Sequence, residues 1–262
     1  MELTLGPVLF EWKRDEVFNF YEEVSRMGVD RVYLGEVVCV KKRGLHAGDM
    51  NTIATMLEKA GKKVVLSTLA VVSNEAELNS VRGLLCLPFP MEANDMSLFN
   101  IATPPGMEIS AGPHITAYTV PSIEFLKSIG VRRVTFPVER SRDAVKYNIG
   151  KTGIEAEVFA HGKVPLAFSW RCYASRAHGL TKTGCRHHCA EYPDGMEIRS
   201  LEGEPLFTVN GTSLLGAGIY TLIEFVDDLR EIGVKALRIS PQKRDTGRVV
   251  EIFRRRVKGE VS

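Results

Sequence analysis

The sequence predicts an α/β protein built as a TIM-type (β/α)8 barrel. Three observations carry this. Short β-rich runs alternate strictly with amphipathic stretches, the pair recurs eight times, and the chain has 262 residues, a length such a barrel commonly uses as one domain. Parallel strands need long crossovers, so strict alternation implies a parallel sheet. An open doubly wound sheet would share the pattern; eight units favour closure.

The strands are expected at residues 3–9, 31–34, 64–67, 86–91, 107–110, 133–136, 154–159 and 234–239. The helices are expected at 15–27, 48–60, 75–84, 96–102, 121–128, 142–148, 217–232 and 246–257. Val17, Phe18, Tyr21 and Val24 recur at helical spacing. Asn74, Asp95 and Ser141 stand where N-caps are wanted. One segment breaks the rhythm. About fifty residues after strand seven show little periodicity, and long connections inside a compact domain are usually functional. This one, about residues 162–210 of a single domain spanning 1–262, holds Trp170, three cysteines, three histidines and Tyr192. Residues 207–209 within it suit a small extra strand.

Composition narrows the function. With 44% apolar and 25% charged residues the chain can bury a sizeable core. A net charge of +2 does not advertise a nucleic-acid partner. The basic run Arg254-Arg255-Arg256 reads as a helix end complementing the helix dipole. No basic segment followed by an apolar one opens the sequence, and no apolar run approaches the ~20 residues of a membrane helix. A soluble cytoplasmic protein is expected, and cysteines there point to metal or redox chemistry.

Four of the five cysteines form a constellation. Cys185 and Cys189 are separated by three residues, Cys172 lies upstream in the same insertion, and Cys39 follows strand two. Loops after parallel barrel strands all emerge at one face, so Cys39 and the insertion can meet there. Four thiolates suit an iron–sulfur cluster. Zinc is the rival, with His187 or His188 able to replace a thiolate. Cys86, beside Leu84, Leu85 and Leu87, is expected to pack in the core.

Polar residues at strand C-terminal ends are the remaining candidates: Glu36, Thr68, Asn94, Asp95, His114, Glu139, His161, Arg238 and Ser240. Glu36 and Glu139 are candidate acid/base groups, His161 a proton shuttle and Arg238 a carboxylate clamp. Each has a structural alternative. Asp95 suits a helix cap, and Glu139 could pair with Arg142. No Gly-x-Ser-x-Gly elbow and no His-Glu-x-x-His occurs, which leaves a peptidase without its usual machinery.

Several segments together resemble a known family. They include Val32-Tyr33-Leu34-Gly35-Glu36-Val37-Val38-Cys39, Val65-Leu66-Ser67-Thr68-Leu69-Ala70, Pro137-Val138-Glu139-Arg140-Ser141-Arg142-Asp143, Pro165-Leu166-Ala167, the Cys185/Cys189 pair before Tyr192-Pro193-Asp194-Gly195, and Arg238-Ile239-Ser240-Pro241-Gln242. The chain resembles the collagenase-like family of unclassified peptidases, in its UbiV-like ubiquinone-biosynthesis branch. The resemblance implies a barrel carrying a 4Fe–4S cluster on Cys39, Cys172, Cys185 and Cys189. It also implies a heterodimer with a UbiU-like paralogue, a UbiT-like lipid-carrier protein, and oxygen-independent hydroxylation of a quinone precursor with prephenate as oxygen donor. Related members hydroxylate RNA bases.

Overall fold

The computed structural model describes residues 1–40, 45–101 and 105–260. Its strands are β1 (Glu2–Leu5), β2 (Arg31–Leu34), β3 (Lys63–Ser67), β4 (Met91–Ala93), β5 (Ile109–Ala111), β6 (Val131–Phe136), β7 (Glu155–Phe168), β8 (Met196–Arg199), β9 (Pro205–Asn210), β10 (Ser213–Thr221) and β11 (Ala236–Ile239). β1 to β7 pair in sequence order, all parallel, and β11 pairs with both β7 and β1. The eight-stranded barrel therefore closes, as the alternation predicts. Each of these strands is largely buried along the part that lies in the barrel wall, which is why their sequences read as apolar runs.

The helices are α1 (Arg14–Arg26), α2 (Ala47–Lys59), α3 (Glu75–Leu84), α4 (Val120–Ser128), α5 (Arg142–Thr152), α6 (Tyr173–Ala177), α7 (Val226–Glu231) and α8 (Thr246–Lys258). Asn74 accepts from the Glu77 amide and Ser141 from the Ala144 amide, so both caps form as expected. Asp95 caps a 3-10 turn over Met96–Asn100 by accepting from the Ser97 amide. The expected helix there ran to residue 102, which lies outside the described residues. Among the described residues no helix is long and apolar enough to cross a membrane.

Four expectations are corrected, the first being strand four, which occupies Met91–Ala93 after a turn and not residues 86–91. Residues 217–232 are not one helix. Up to Thr221 they continue β10, and the short α7 follows a 3-10 turn. Gly216 and Gly218 weaken helix there, and pairing with β7 and β9 decides the outcome. Strand seven does not stop at 159. β7 runs on to Phe168, tolerating Pro165 beside a register shift in its pairing with β10. Cys86 is exposed, not core. The chain turns after α3, burying Leu84 and half-burying Leu85 and Leu87, and leaves the Cys86 thiol 3.9 Å from the Arg82 carbonyl.

Inside the barrel the side chains are charged rather than apolar. The Glu157 carboxylate, fully buried, accepts from Thr4 Oγ1 (2.7 Å), Tyr33 Oη (2.6 Å), Arg133 (3.2 Å) and Arg238 Nε (2.7 Å). Arg238 also meets Glu92 at 2.6 Å, donates to Thr135, and lies 3.8 Å over the Tyr33 ring. Burial drives the Glu157 pKa up, but Arg238 and Arg133 outweigh it and hold the group below the ordinary carboxylate range. The lower end repeats the device. Glu2 meets Arg133 (2.5 Å), Lys63 (2.9 Å) and Arg31 (3.5 Å).

Two outcomes follow from these charges. Replacing Glu157 by Gln leaves two buried guanidinium groups without their shared anion, and should cost about 3–5 kcal/mol in urea denaturation. Burial raises the Glu2 pKa, but hydrogen bonds from Lys63 and Arg133 hold it down at about 2. Its contribution to stability is therefore complete above the unfolded carboxylate pKa of about 4.5 and fades as pH falls towards 2. Glu2→Gln should flatten that part of a stability-versus-pH curve.

Candidate cluster site and barrel mouth

The cysteine insertion is bound to the barrel rim through a turn. Asn210, the last residue of β9, and the Gly211–Thr212 turn after it bond to the loops that follow β1 and β2. Asn210 Nδ2 donates to the Leu9 carbonyl at 2.7 Å, and Thr212 Oγ1 donates to the Val38 carbonyl at 2.9 Å. On the other side of the turn the Tyr173 amide donates to the Gly211 carbonyl at 2.7 Å. Val38 precedes Cys39 and Tyr173 follows Cys172, so residues adjoining two cysteines 133 positions apart bond to neighbouring residues of one turn. Gly211 has φ +60, the left-handed region glycine adopts freely.

The other two cysteines, Cys185 and Cys189, lie in the same insertion as Cys172. Cys172 is the N-cap of α6, its Sγ accepting from the Ser175 amide at 3.4 Å. Cys189 lies in a 3-10 turn over His188–Glu191. The His178 and His188 rings stack at 4.0 Å, holding that turn against the end of α6. Cys185 lies on the stretch between, which Lys182 ties to Glu77 of α3 at 2.7 Å. Beyond it, Trp12 Nε1 donates to the Pro193 carbonyl, Lys163 Nζ to the Asp194 carbonyl, and the Lys243 amide to Asp194 Oδ1. All four thiols are half-buried.

The donor set fits thiolate-bound iron in kind: soft sulfur ligands on one rim, shielded from bulk water on one side. Among the described residues, however, no three His, Cys, Asp or Glu side chains are already grouped to hold a metal ion. His187, the alternative ligand, lies 3.5 Å from buried Glu11.

The rim candidates divide. Thr68 and Asn94 brace the wall. Thr68 Oγ1 donates to the Glu92 carbonyl and accepts from the Asn94 amide, and Asn94 Nδ2 reaches Glu92 at 3.2 Å. Ser240, buried, donates its amide to the His161 carbonyl. Glu36 is half-buried beside Glu11 and Tyr21 around a minute cavity. His161 is kept towards the neutral form by burial, edge-on to Phe253. Arg238 does not face the rim as a clamp: it is 3% exposed and engaged by Glu157, Glu92 and Thr135.

His114 and Glu139 do share a pocket. Together with Tyr118, Phe159, Phe168 and Pro165 they line a cavity of about 290 Å³ at the barrel mouth. Tyr118 Oη donates to Glu139, and the Arg140 guanidinium lies 5.6 Å from the Tyr118 ring. The expected Glu139–Arg142 pair gives way to this bond; Arg142 approaches Asp143, Asp228 and Glu231 instead. Desolvation, with Arg238 nearby, lowers the His114 pKa to about 3, so its ring stays neutral in ordinary buffers and packs edge-on to Phe168 at 4.4 Å. Tyr118 and Arg140 were not singled out from the sequence. Arg140 does stand in the Pro137–Asp143 segment of the family resemblance, and Tyr118 lies near His114 along the chain.

Comparison with known proteins agrees with the barrel fold. The fold resembles phospho-2-dehydro-3-deoxyheptonate aldolase from Thermotoga maritima at 11% identity and a TM-score of 0.55, over 99% of this chain and 69% of that one. It also resembles the copper homeostasis protein CutC from Streptococcus agalactiae at 12% and 0.52, over 91% and 98%. At such identities only the barrel is shared. A tRNA hydroxylation protein of Bacillus subtilis is 25% identical over 162 residues, 58% of this chain and 37% of that protein. A 23S rRNA 5-hydroxycytidine synthase of Escherichia coli is 24% identical over 157 residues, 57% of this chain and 24% of its own length. The chain thus matches about a third and about a quarter of these relatives. The description "Peptidase family U32" matches residues 18–258, nearly the whole sequence. The chain belongs to peptidase family U32.

Proposed function

We propose that this chain is an iron–sulfur component of an oxygen-independent hydroxylation system in ubiquinone biosynthesis, with Cys39, Cys172, Cys185 and Cys189 as cluster ligands. The observation that carries the reading is the Gly211–Thr212 turn, which bonds the residues beside Cys39 and Cys172 at once. Membership of a family whose curated relatives are named for RNA-base hydroxylation supports the reaction class. The UbiV-like motifs support a quinone precursor as substrate, a UbiU-like paralogue as heterodimer partner and a UbiT-like lipid carrier. A bound 4Fe–4S cluster would supply one-electron transfer. The chain's own part is to hold the four thiolates on the rim and to present the mouth pocket, where neutral His114 and the Tyr118–Glu139 pair can hydrogen-bond a ring substituent. If chemistry occurs on the paralogue, this chain relays electrons to it; Glu139→Gln then leaves turnover intact while loss of a cluster cysteine abolishes it.

A second reading, RNA-base hydroxylation, has its own observation. Residues 158–190 contain no Asp or Glu, and within them Arg171, Arg176 and Arg186 are exposed, as is Trp170 at 67%. Basic groups interleaved with an aromatic platform suit single-stranded RNA. Filter binding with total RNA across a salt series decides it: affinity that falls steeply with salt supports RNA, and no retention at low salt removes it.

Protein purified without oxygen should contain about four iron and four sulfide per chain and absorb in the visible. Each of Cys39→Ser, Cys172→Ser, Cys185→Ser and Cys189→Ser should lose most of both, while Cys86→Ser retains them. One tightly bound zinc, with no colour, would overturn the cluster. A deletion strain grown without oxygen should accumulate an under-hydroxylated quinone precursor; normal quinone content would sink the pathway assignment.

A further inference from the structure

The end of β6 separates two cavities. On the inner side lies the mouth pocket. On the outer side, enclosed by β6, β7, α5 and α7, lies a second cavity of about 270 Å³. Its walls are mostly apolar, from Val145, Val158, Leu222, Phe225 and Leu229 with Tyr220, and Arg140, Arg142 and Asp228 also line it. Pro137, Val138 and Phe159 line both cavities, so they are neighbouring compartments with a common wall. Phe225, at the surface, is 50% exposed.

We propose that the outer cavity takes the hydrocarbon chain of an amphipathic ligand whose aromatic head occupies the mouth pocket. An apolar cavity gains nothing from water and gains from hydrocarbon. The mouth offers the complementary surroundings: the His114–Phe168 edge-to-face pair and Phe159 for a ring, and the Tyr118–Glu139 pair for a hydroxyl. Arg140 links the two. It lines the outer cavity, its guanidinium lies over the Tyr118 ring, and its Nε is buried without a hydrogen-bond partner among the described residues. A polar head bridging the Pro137–Val138 wall would pass beside that group. The proposal deepens the hydroxylation reading, and rests on it only for what becomes of the head.

Titration calorimetry on the purified chain tests it, with 4-dodecylphenol, 4-farnesylphenol, phenol and dodecyl maltoside, each below its micelle concentration. A phenol with a chain should bind at least about tenfold more tightly than phenol, and more tightly than dodecyl maltoside, which has the chain without the ring. Linear and branched chains are the same chemistry here, and comparing the two phenols shows which the cavity prefers. Val145→Phe, which fills the cavity, should weaken the chain-bearing phenols about tenfold or more and leave phenol unchanged. Phe225→Asp at the surface should do likewise without touching the core. Thermal melting confirms that each variant is folded. Equal affinity for phenol and both chain-bearing phenols, equal affinity for dodecyl maltoside, or folded variants that bind 4-dodecylphenol like the parent would overturn the proposal. Iron content is read on the same samples. Chain binding through Val145 in protein that takes up no iron would remove the cluster and leave this inference standing; intact iron with no chain binding would do the reverse.

Discussion

The buried carboxylate of Glu157 organises this barrel. Four partners from β1, β2, β6 and β11 converge on it, and every one lies far away in sequence. A charge taken out of water is tolerated only when its lone pairs are filled and a counter-charge is close. Arg238 supplies the counter-charge and extends the network to Glu92 on β4. Charge pairing therefore fixes which strands face one another across the lumen, a task that interdigitated aliphatic side chains perform in most barrels. Close approach is part of the cost. At Gly112 a Cβ would overlap the Asn94 amide and crowd the Glu92 carboxylate at 2.9 Å, so the wall beside the network must be glycine.

The interior charges also shape the mouth. Arg238 contributes to keeping His114 neutral, and a neutral imidazole can pack against Phe168 where an imidazolium would resist desolvation. The neutral state of His114 in the mouth pocket thus comes first from burial and then from the Arg238 charge below. The cysteine insertion depends on the rim rather than the lumen. Its bonds run to Leu9, Val38, Trp12, Glu77 and Lys243, five separate positions around the barrel's upper loops.

The βα rhythm was legible because each barrel strand is buried on both faces and helices carry explicit caps at Asn74 and Ser141. The same logic failed where tertiary pairing overrides local preference. β10 carries Gly216 and Gly218 and is partly exposed, so nothing local marks it as a strand. Arg238 sits in a rim-like motif, but its partners Glu92 and Glu157 lie 146 and 81 positions away, and only the fold shows that its charge is already engaged. The spacing of Cys172, Cys185 and Cys189 within one insertion was legible in the sequence. That the Gly211–Thr212 turn bonds Cys39's neighbour and Cys172's was not, because the partners of the Thr212 hydroxyl and the Gly211 carbonyl are set by the fold and not by any local pattern.

β7 is fourteen residues long and serves three places at once. Its first part holds Glu157 in the lumen, its middle puts Phe159 at the mouth, and its end delivers Phe168 to the pocket just before the insertion. At ~3.3 Å per residue the eleven steps from Glu157 to Phe168 measure at most ~36 Å, along a strand whose pairing shifts register against both β11 and β10. Adding or deleting a single residue within that span would turn every later side chain to the opposite face. The turn at 200–204 between β8 and β9, by contrast, is exposed apart from half-buried Ser200 and can change length at less cost. Evolutionary tinkering with the chain's length is thus confined to its turns, while β7 acts as a ruler whose graduations cannot be moved.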